Sequence, residues 1–276
     1  MKKYLPALGM WLLFETVAVS LWLALGRVFY LLNFSYIGTA LALGLALYAA
    51  GWRYARHVVQ FAVGLYMLVY LGLICRENMQ IEGFWYYLFL GVFEAAVIHY
   101  AVAKLVGPAK IFGPLLFGRG WCGYACWTAM VLDLLPFKTP QGPRRSWGFV
   151  RYIVFGAALA YVGALFLLHV PELEQVMWWS FIAGNLAYYA AGIALAYKCR
   201  DNRAFCKYVC PVSVFLRLTG RFALFRVRVD SEKCVSCGRC AQVCPMDIRV
   251  HAAPDPSECI LCLRCVETCP KGALRF

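Results

Sequence analysis

The sequence predicts an all-α polytopic membrane protein of about six transmembrane helices, followed by a small α+β domain built round cysteine-bound metal. Three observations predict it. Of 276 residues, 63% are apolar and 15% charged, where a soluble domain has roughly half and a quarter. The apolar residues gather in runs that approach the ~20 residues needed to cross a bilayer as a helix. The 14 cysteines are concentrated in dense C-x-x-C runs near the carboxy terminus. A simple soluble domain is excluded, and so is a disulfide-stapled secreted scaffold, which would be short and polar.

Six apolar runs stand out, at 5–25, 29–50, 58–74, 84–103, 152–170 and 176–197. The first follows Lys2 and Lys3 and is too long for a signal-peptide core, so it is expected to be an uncleaved span. Tyr and Trp collect at several run ends (Trp52, Tyr54, Trp85 to Tyr87, Trp178, Trp179), where amphipathic rings suit the headgroup layer. Lys and Arg alternate in abundance between connections. One set holds Arg53, Arg56, Lys104, Lys110, Arg119, Lys138, Arg144 and Arg145; the other holds only Arg27 and Arg76, beside Glu77, Glu82, Glu172 and Glu174. Positive residues stay on the cytoplasmic side, which predicts both ends inside and a multi-pass protein of the inner (cytoplasmic) membrane. The resulting organisation is four spans (1–103), a cytoplasmic or interfacial segment with short apolar pieces (104–151), two spans (152–197), a basic connector (198–225) and the cysteine-rich domain (226–276).

From Cys234 the chain reads CVSCGRCAQVCP, and from Cys259 CILCLRCVETCP. Each is the C-x2-C-x2-C-x3-C-P run of bacterial two-cluster ferredoxins, in which the fourth cysteine of a run ligates the other cluster. Cys234, Cys237, Cys240 and Cys269 are assigned to one [4Fe-4S] cluster, and Cys259, Cys262, Cys265 and Cys244 to the second. Paired structural zinc sites are the alternative, disfavoured by the duplicated three-plus-one pattern. Flanking apolar alternation at 225–229 and 273–276 suits two short paired strands closing a ferredoxin-like fold. Residues 230–276 hold six acids and six bases, so the net charge of +13 belongs to the membrane part. It reads as a topology signal and a docking surface for an acidic partner or anionic lipid, not as a nucleic-acid footprint.

Four more cysteines form two C-x3-C pairs, Cys122 with Cys126 and Cys206 with Cys210. Residues four apart share a helix face, and both pairs are expected just beyond the cytoplasmic ends of spans four and six, where they can meet. A third iron-sulfur cluster, a redox-active dithiol and plain reduced thiols are the readings this spacing admits. Cys199 is a spare thiol or substitute ligand, and Cys75 a plain buried cysteine on the opposite side. Spans with paired C-x3-C motifs ahead of a two-cluster ferredoxin domain resemble the NapH-type membrane ferredoxins, quinol dehydrogenase components associated with periplasmic nitrate reductase, and the related NosR and CcoG groups. The resemblance covers about residues 104–276. Pro211 keeps the family's proline after the second pair, whereas Trp127 replaces it after the first.

That resemblance implies one-electron relay between the quinone pool and a redox partner, as an electron-transfer subunit of a quinol-linked oxidoreductase complex. The NosR and CcoG relatives imply an alternative, an accessory electron donor for maturation or regulation of a metalloenzyme. No catalytic constellation of side chains is apparent. Ionisable residues at membrane depth are functional candidates by default, which singles out Glu15, Glu94 and His99 as a quinone or proton site. Each has a bland reading as a group hydrogen-bonded between helices. Gly118, Gly120 and Gly123 make a G-x-G-x-x-G pattern without the strand that a dinucleotide site needs, and read instead as room for close backbone approach.

Overall fold

A computed structural model describes residues 2–52, 54–93, 112–142, 144–252 and 254–276. The protein is mostly helical. First come α1 (Leu5–Leu25), α2 (Val28–Ala49), and α3 (Ala55–Leu65), which continues as a π-helical stretch (Tyr66–Ile74). Next are α4 (Ile81–Phe93) and the short helices α5 (Phe112–Phe117), α6 (Gly120–Tyr124) and α7 (Trp127–Leu132). A 3-10 turn at Trp147–Phe149 leads into α8 (Val150–Leu167), followed by α9 (Leu173–Cys199), α10 (Ala204–Tyr208) and α11 (Val212–Gly220). The carboxy-terminal unit contains β1 (Arg228–Val229), α12 (Arg239–Gln242), α13 (Arg264–Thr268) and β2 (Leu274–Arg275).

Five helices among the described residues are long and apolar enough to cross a membrane: α1, α2, Ala55–Ile74, Trp147–Leu167 and α9. Their boundaries fall within a few residues of the expected runs. Leu5, Leu12, Leu23, Leu32, Leu167 and Leu186 point outward and are exposed, a surface that suits hydrocarbon and not water. The expected run at 84–103 is described only as far as Phe93.

That described part departs from simple alternation. Trp85 meets Phe155 near the start of α8, and Phe89 meets Phe166 near its end, so α4 and α8 run in the same direction. The reason lies just before α4. Asn78 Nδ2 donates to the Met177 carbonyl at 2.9 Å, and Gln80 packs on Gly184 of α9, so the chain turns back into the bundle before α4 begins.

The core of the membrane part is built round a re-entrant segment. Trp127 of α7 is buried with Ile37 of α2, Val59, Val63, Met67 and Leu71 of the third helix, and Phe181 of α9. Its indole Nε1 donates to Asn185 Oδ1 at 2.7 Å, which satisfies two polar groups that hydrocarbon would leave costly. The carboxy-terminal unit has its own core of Leu216, Met246, Ile248, Val250, Ile260 and Leu274. It is closed by an antiparallel β1–β2 pair in which Arg228 faces Arg275 and Val229 faces Leu274.

Candidate metal centre

The carboxy-terminal runs fold as two similar loops. Ser236 and Gly238 in the first, and Leu261 and Leu263 in the second, take positive φ at the same two offsets from the leading cysteine. This left-handed backbone costs a non-glycine residue about 1–2 kcal/mol, and it curls each loop round one cavity. Cys234, Cys237, Cys240 and Cys269 line one small cavity, and Cys244, Cys259, Cys262 and Cys265 line another. The two three-plus-one sets therefore lie apart. His251 is half-buried, with Nδ1 3.8 Å from Cys240 Sγ.

The structure also brings the two C-x3-C pairs together. Cys122, Cys126, Cys206 and Cys210 line the end of one large cavity, but they do not sit beyond the ends of the spans. Cys126 lies within electrostatic range of Tyr189, Cys210 within range of Tyr188, and the Tyr188 ring packs on Phe205, centroids 5.2 Å apart. The four thiols are thus level with the middle of α9. The expectation of an interfacial position fails because α6, α7 and α10 fold back against the third helix and α9 instead of lying on the membrane surface.

The two half-sites repeat one another. Arg-Gly-Trp-Cys-Gly-Tyr-Ala-Cys from Arg119 and Arg-Ala-Phe-Cys-Lys-Tyr-Val-Cys from Arg203 share Arg, an aromatic, Cys, Tyr and Cys at equal offsets. Each forms one short helix that the arginine precedes. In each, the backbone N–H of the last cysteine donates to the aromatic residue's carbonyl, Cys126 to Trp121 at 3.1 Å and Cys210 to Phe205 at 2.9 Å. The arginines cross over: Arg119 Nη2 donates to the Cys206 carbonyl at 2.9 Å, and Arg203 Nη1 to the Cys122 carbonyl at 3.1 Å. This pseudo-symmetric exchange was visible in the sequence as R-x-aromatic-C-x-Y-x-C, written twice, once the cysteine spacing alone ceased to be the guide.

Each arginine carries its own carboxylate. Arg203 pairs with Asp133 at 2.5 Å, which also binds Arg56 at 3.1 Å. Arg119 pairs with Glu258 of the carboxy-terminal unit, whose other oxygen accepts from Arg151 at 3.0 Å and lies 3.4 Å from Arg144. Burial alone would raise the Glu258 carboxyl, but Arg119, Arg151 and Arg144 hold it below its usual range. Lys207 binds Asp201 at 2.5 Å and also Asp247. Buried ions of this kind are stable only when fully paired, and the chain meets that condition by drawing Glu258 and Asp247 up from the other unit.

One donor on each arginine is left over. Arg119 Nε and Arg203 Nε are buried without a hydrogen-bond partner among the described residues, and both guanidinium groups lie within electrostatic range of the thiols. A pocket with four thiols and two spare cationic donors fits an anionic group ligated by thiolates, as an iron-sulfur cluster is. Among the described residues no three His, Cys, Asp or Glu side chains converge closely enough to hold a single metal ion; a cubane is spanned by thiolates set wider apart.

The half-site also touches the second ferredoxin loop. Gly123 lies so close to the Ile260 carbonyl that a Cβ would collide with it, and Tyr124 OH donates to the Leu261 carbonyl at 3.1 Å. Gly118, at φ +55, packs on Gly220. The glycine pattern is therefore a packing device. Of the remaining singled-out groups, Glu15 accepts a 2.7 Å hydrogen bond from Ser35 between α1 and α2, and it does not line the large cavity. Glu94 and His99 lie outside the described residues. Cys75, expected to be buried, is exposed because it follows the end of the third helix, and Cys199 is half-buried.

The chain is similar to known iron-sulfur proteins. Residues 106–137 match a 4Fe-4S binding domain family, residues 197–248 a 4Fe-4S dicluster domain and residues 252–275 a further 4Fe-4S binding domain. An uncharacterised protein of Methanocaldococcus jannaschii, MJ0749, is 46% identical over 182 residues, 63% of this chain and 70% of the relative. The methylamine utilization ferredoxin-type protein MauN of Methylobacillus flagellatus is 28% identical over 236 residues, 74% and 79% of the two chains. The regulatory protein NosR of Stutzerimonas stutzeri is 30% identical over 164 residues, 50% of this chain and 21% of its own. No solved structure matches.

Proposed function

The chain belongs to the NapH/NosR-like family of membrane ferredoxins, iron-sulfur proteins of electron transfer, and from that premise we propose that it relays electrons between the quinone pool and a redox partner enzyme through three clusters. Cys122, Cys126, Cys206 and Cys210 hold the cluster nearest the membrane core. Cys259, Cys262, Cys265 and Cys244 hold the next, and Cys234, Cys237, Cys240 and Cys269 the one farthest out. When bound, each cluster accepts and returns a single electron. The chain's own residues fix the ligands and compensate their charge.

The observation that carries this reading is the pair of crossed arginines, each with a spare buried donor beside the four thiols. A neutral dithiol would give such donors no anion to serve, whereas a thiolate-ligated cluster supplies one beside both arginines. The contact of Gly123 with Ile260 supports a short path from the inner thiols to the second ferredoxin loop. Cys237, exposed at the far side, supports a docking edge for the partner. The Lys and Arg distribution supports placing the ferredoxin unit on the cytoplasmic side of the inner membrane, within a hetero-oligomeric complex. Iron and acid-labile sulfide per purified chain test the cluster count: about twelve of each is expected for three cubanes, and about eight would remove the inner one. A quinol analogue that reduces the clusters favours the relay, whereas clusters inert to quinol that reduce a metal centre favour the maturation role suggested by NosR.

A further inference from the structure

The thiols of the inner site form only one end of their cavity. It has a volume of about 730 Å³ and extends between α2, the third helix and the start of α4 to Leu25 and Cys75 at the opposite end of the bundle. Its walls are mainly apolar, with Phe29, Phe34, Ile37, Met67 and Leu71 among them. Two polar side chains on this wall lack partners among the described residues. Gln80 is 3% exposed, and both its Oε1 and Nε2 are buried and unbonded. Tyr188 OH is likewise buried and unbonded. Gln80 rests against Gly184, one helical turn before Tyr188 on α9, so the two polar groups lie on neighbouring positions of the wall. Tyr188 is within electrostatic range of both Cys210 and Glu82; Glu82 Oε2 is itself buried and unbonded, so a proton passing from Tyr188 to Glu82 needs a bridging water or ligand oxygen.

An apolar slot with a few convergent polar groups is the usual form of a site for a lipophilic ligand. An unbonded buried amide or hydroxyl costs about 1–3 kcal/mol, a cost that a ligand carrying ring hydroxyls or carbonyls would remove. We propose that this cavity is the hydroquinone site, with Gln80 and Tyr188 holding the ring oxygens beside the four cysteines and Glu82 receiving protons through Tyr188. The assignment rests on the quinone-linked reading above and adds the place and the residues. In the reaction the two O–H bonds of the hydroquinone break and its C–O bonds become carbonyls. The four cysteines hold the iron-sulfur centre that would take its two electrons one at a time. Its two protons leave one with each electron, relayed by Tyr188 to the half-buried Glu82 carboxylate, which releases the first to solvent before it takes the second. Glu15, on the α1–α2 contact, takes no part.

The test uses the full chain, purified with its clusters and placed in nanodiscs, and stopped-flow reduction by menadiol and by decylubiquinol. Gln80→Leu and Tyr188→Phe are expected to slow reduction by either hydroquinone at least tenfold, with iron content and reduction by dithionite unchanged. Glu82→Gln is expected to slow reduction to a similar degree while leaving quinone binding intact, read as quenching of the cavity-lining Trp121 and Trp127 by menadione; weakened binding instead would make Glu82 merely structural and overturn its role. Photolabelling of the unmodified protein with an azidoquinone needs no variant to fold, and label is expected between residues 75 and 93 or between 181 and 190. Rates unchanged in the Gln80 and Tyr188 variants, or label elsewhere, would overturn the site and leave quinone use standing. A native chain that neither hydroquinone reduces would instead overturn the quinone reading itself.

Discussion

The chain builds cysteine sites in two ways. In the carboxy-terminal unit eight cysteines lie in two contiguous runs, range from buried (Cys240, Cys265) to exposed (Cys237), and the nearby charges are solvent-facing pairs such as Arg275 with Asp230. In the membrane part four cysteines come from two half-motifs far apart in the chain. Their neighbours are Arg119, Arg203 and Lys207, all essentially buried. Near water, ligand spacing alone specifies a site, because solvent screens whatever charge the cluster carries. In the low-dielectric core the same ligands need fixed cations, and those cations in turn need fixed carboxylates. The second unit supplies two of these carboxylates, Glu258 and Asp247, so the inner site is complete only when both units are docked.

The strongest way to break this comparison is to remove the shared carboxylate. Glu258→Ala leaves Arg119 and Arg151 buried without their anion, and losing one partner of a buried pair costs about 3–5 kcal/mol. Thermal unfolding in detergent should fall accordingly, and limited proteolysis should release the carboxy-terminal unit. Arg203→Met is next. It uncouples the Cys122 carbonyl and half of the Asp133 pairing, but Arg56 still holds Asp133 at 3.1 Å, so a loss of about 2–3 kcal/mol is expected. Here the damage should stay local: the inner iron is lost and the ferredoxin-type signals remain in the electron paramagnetic resonance spectrum. Equal loss from both regions would show that the half-site is not a separate unit.

Cysteine substitutions sharpen the same contrast at lower structural cost. Cys206→Ser should reduce iron from about twelve to about eight atoms per chain while the two outer clusters keep their spectra. Cys265→Ser should do the converse, losing about four irons from the carboxy-terminal unit and leaving the inner centre in place. Iron analysis paired with spectroscopy distinguishes the two. A Cys206→Ser protein that retains all its iron would assign the inner thiols no cluster.

How much of this was legible follows the same division. Local signals read well: the five long helices begin and end within a few residues of the hydropathy runs, and the Arg228–Arg275 and Val229–Leu274 pairs lie where alternation placed strands. What failed depended on which segment packs against which. Hydropathy averages over a window, so it could not show that Gln80 turns inward against Gly184, nor that α6 and α10 descend to the middle of α9. Arg119 counted as a topology charge at the membrane surface and Arg203 as part of the basic connector, yet both are buried cations beside the four thiols. Only their repeated place before the C-x3-C pairs distinguished them from the other basic residues of the connections.

The smallest expected effect concerns tuning. His251 Nδ1 lies 3.8 Å from Cys240 Sγ, the nearest counterpart in the carboxy-terminal unit to the arginines of the inner site. Hydrogen bonds to cluster sulfurs help set reduction potential, since a donor stabilises the more negative, reduced state. His251→Phe removes the donor while keeping a flat ring of similar reach, so the potential of the Cys234 cluster should fall, with iron content, stability and the other two clusters unchanged. A spectroscopic redox titration that resolves the clusters reads this directly. The downward shift should be smaller than the one caused by Arg203→Lys, provided that variant keeps its iron, because the imidazole donates from a half-buried position and the guanidinium from a fully buried one. A larger shift at His251 would mean that solvent screens the outer cluster less than its exposed Cys237 implies, and the contrast between the two regions would then lie in architecture alone and not in electrostatics.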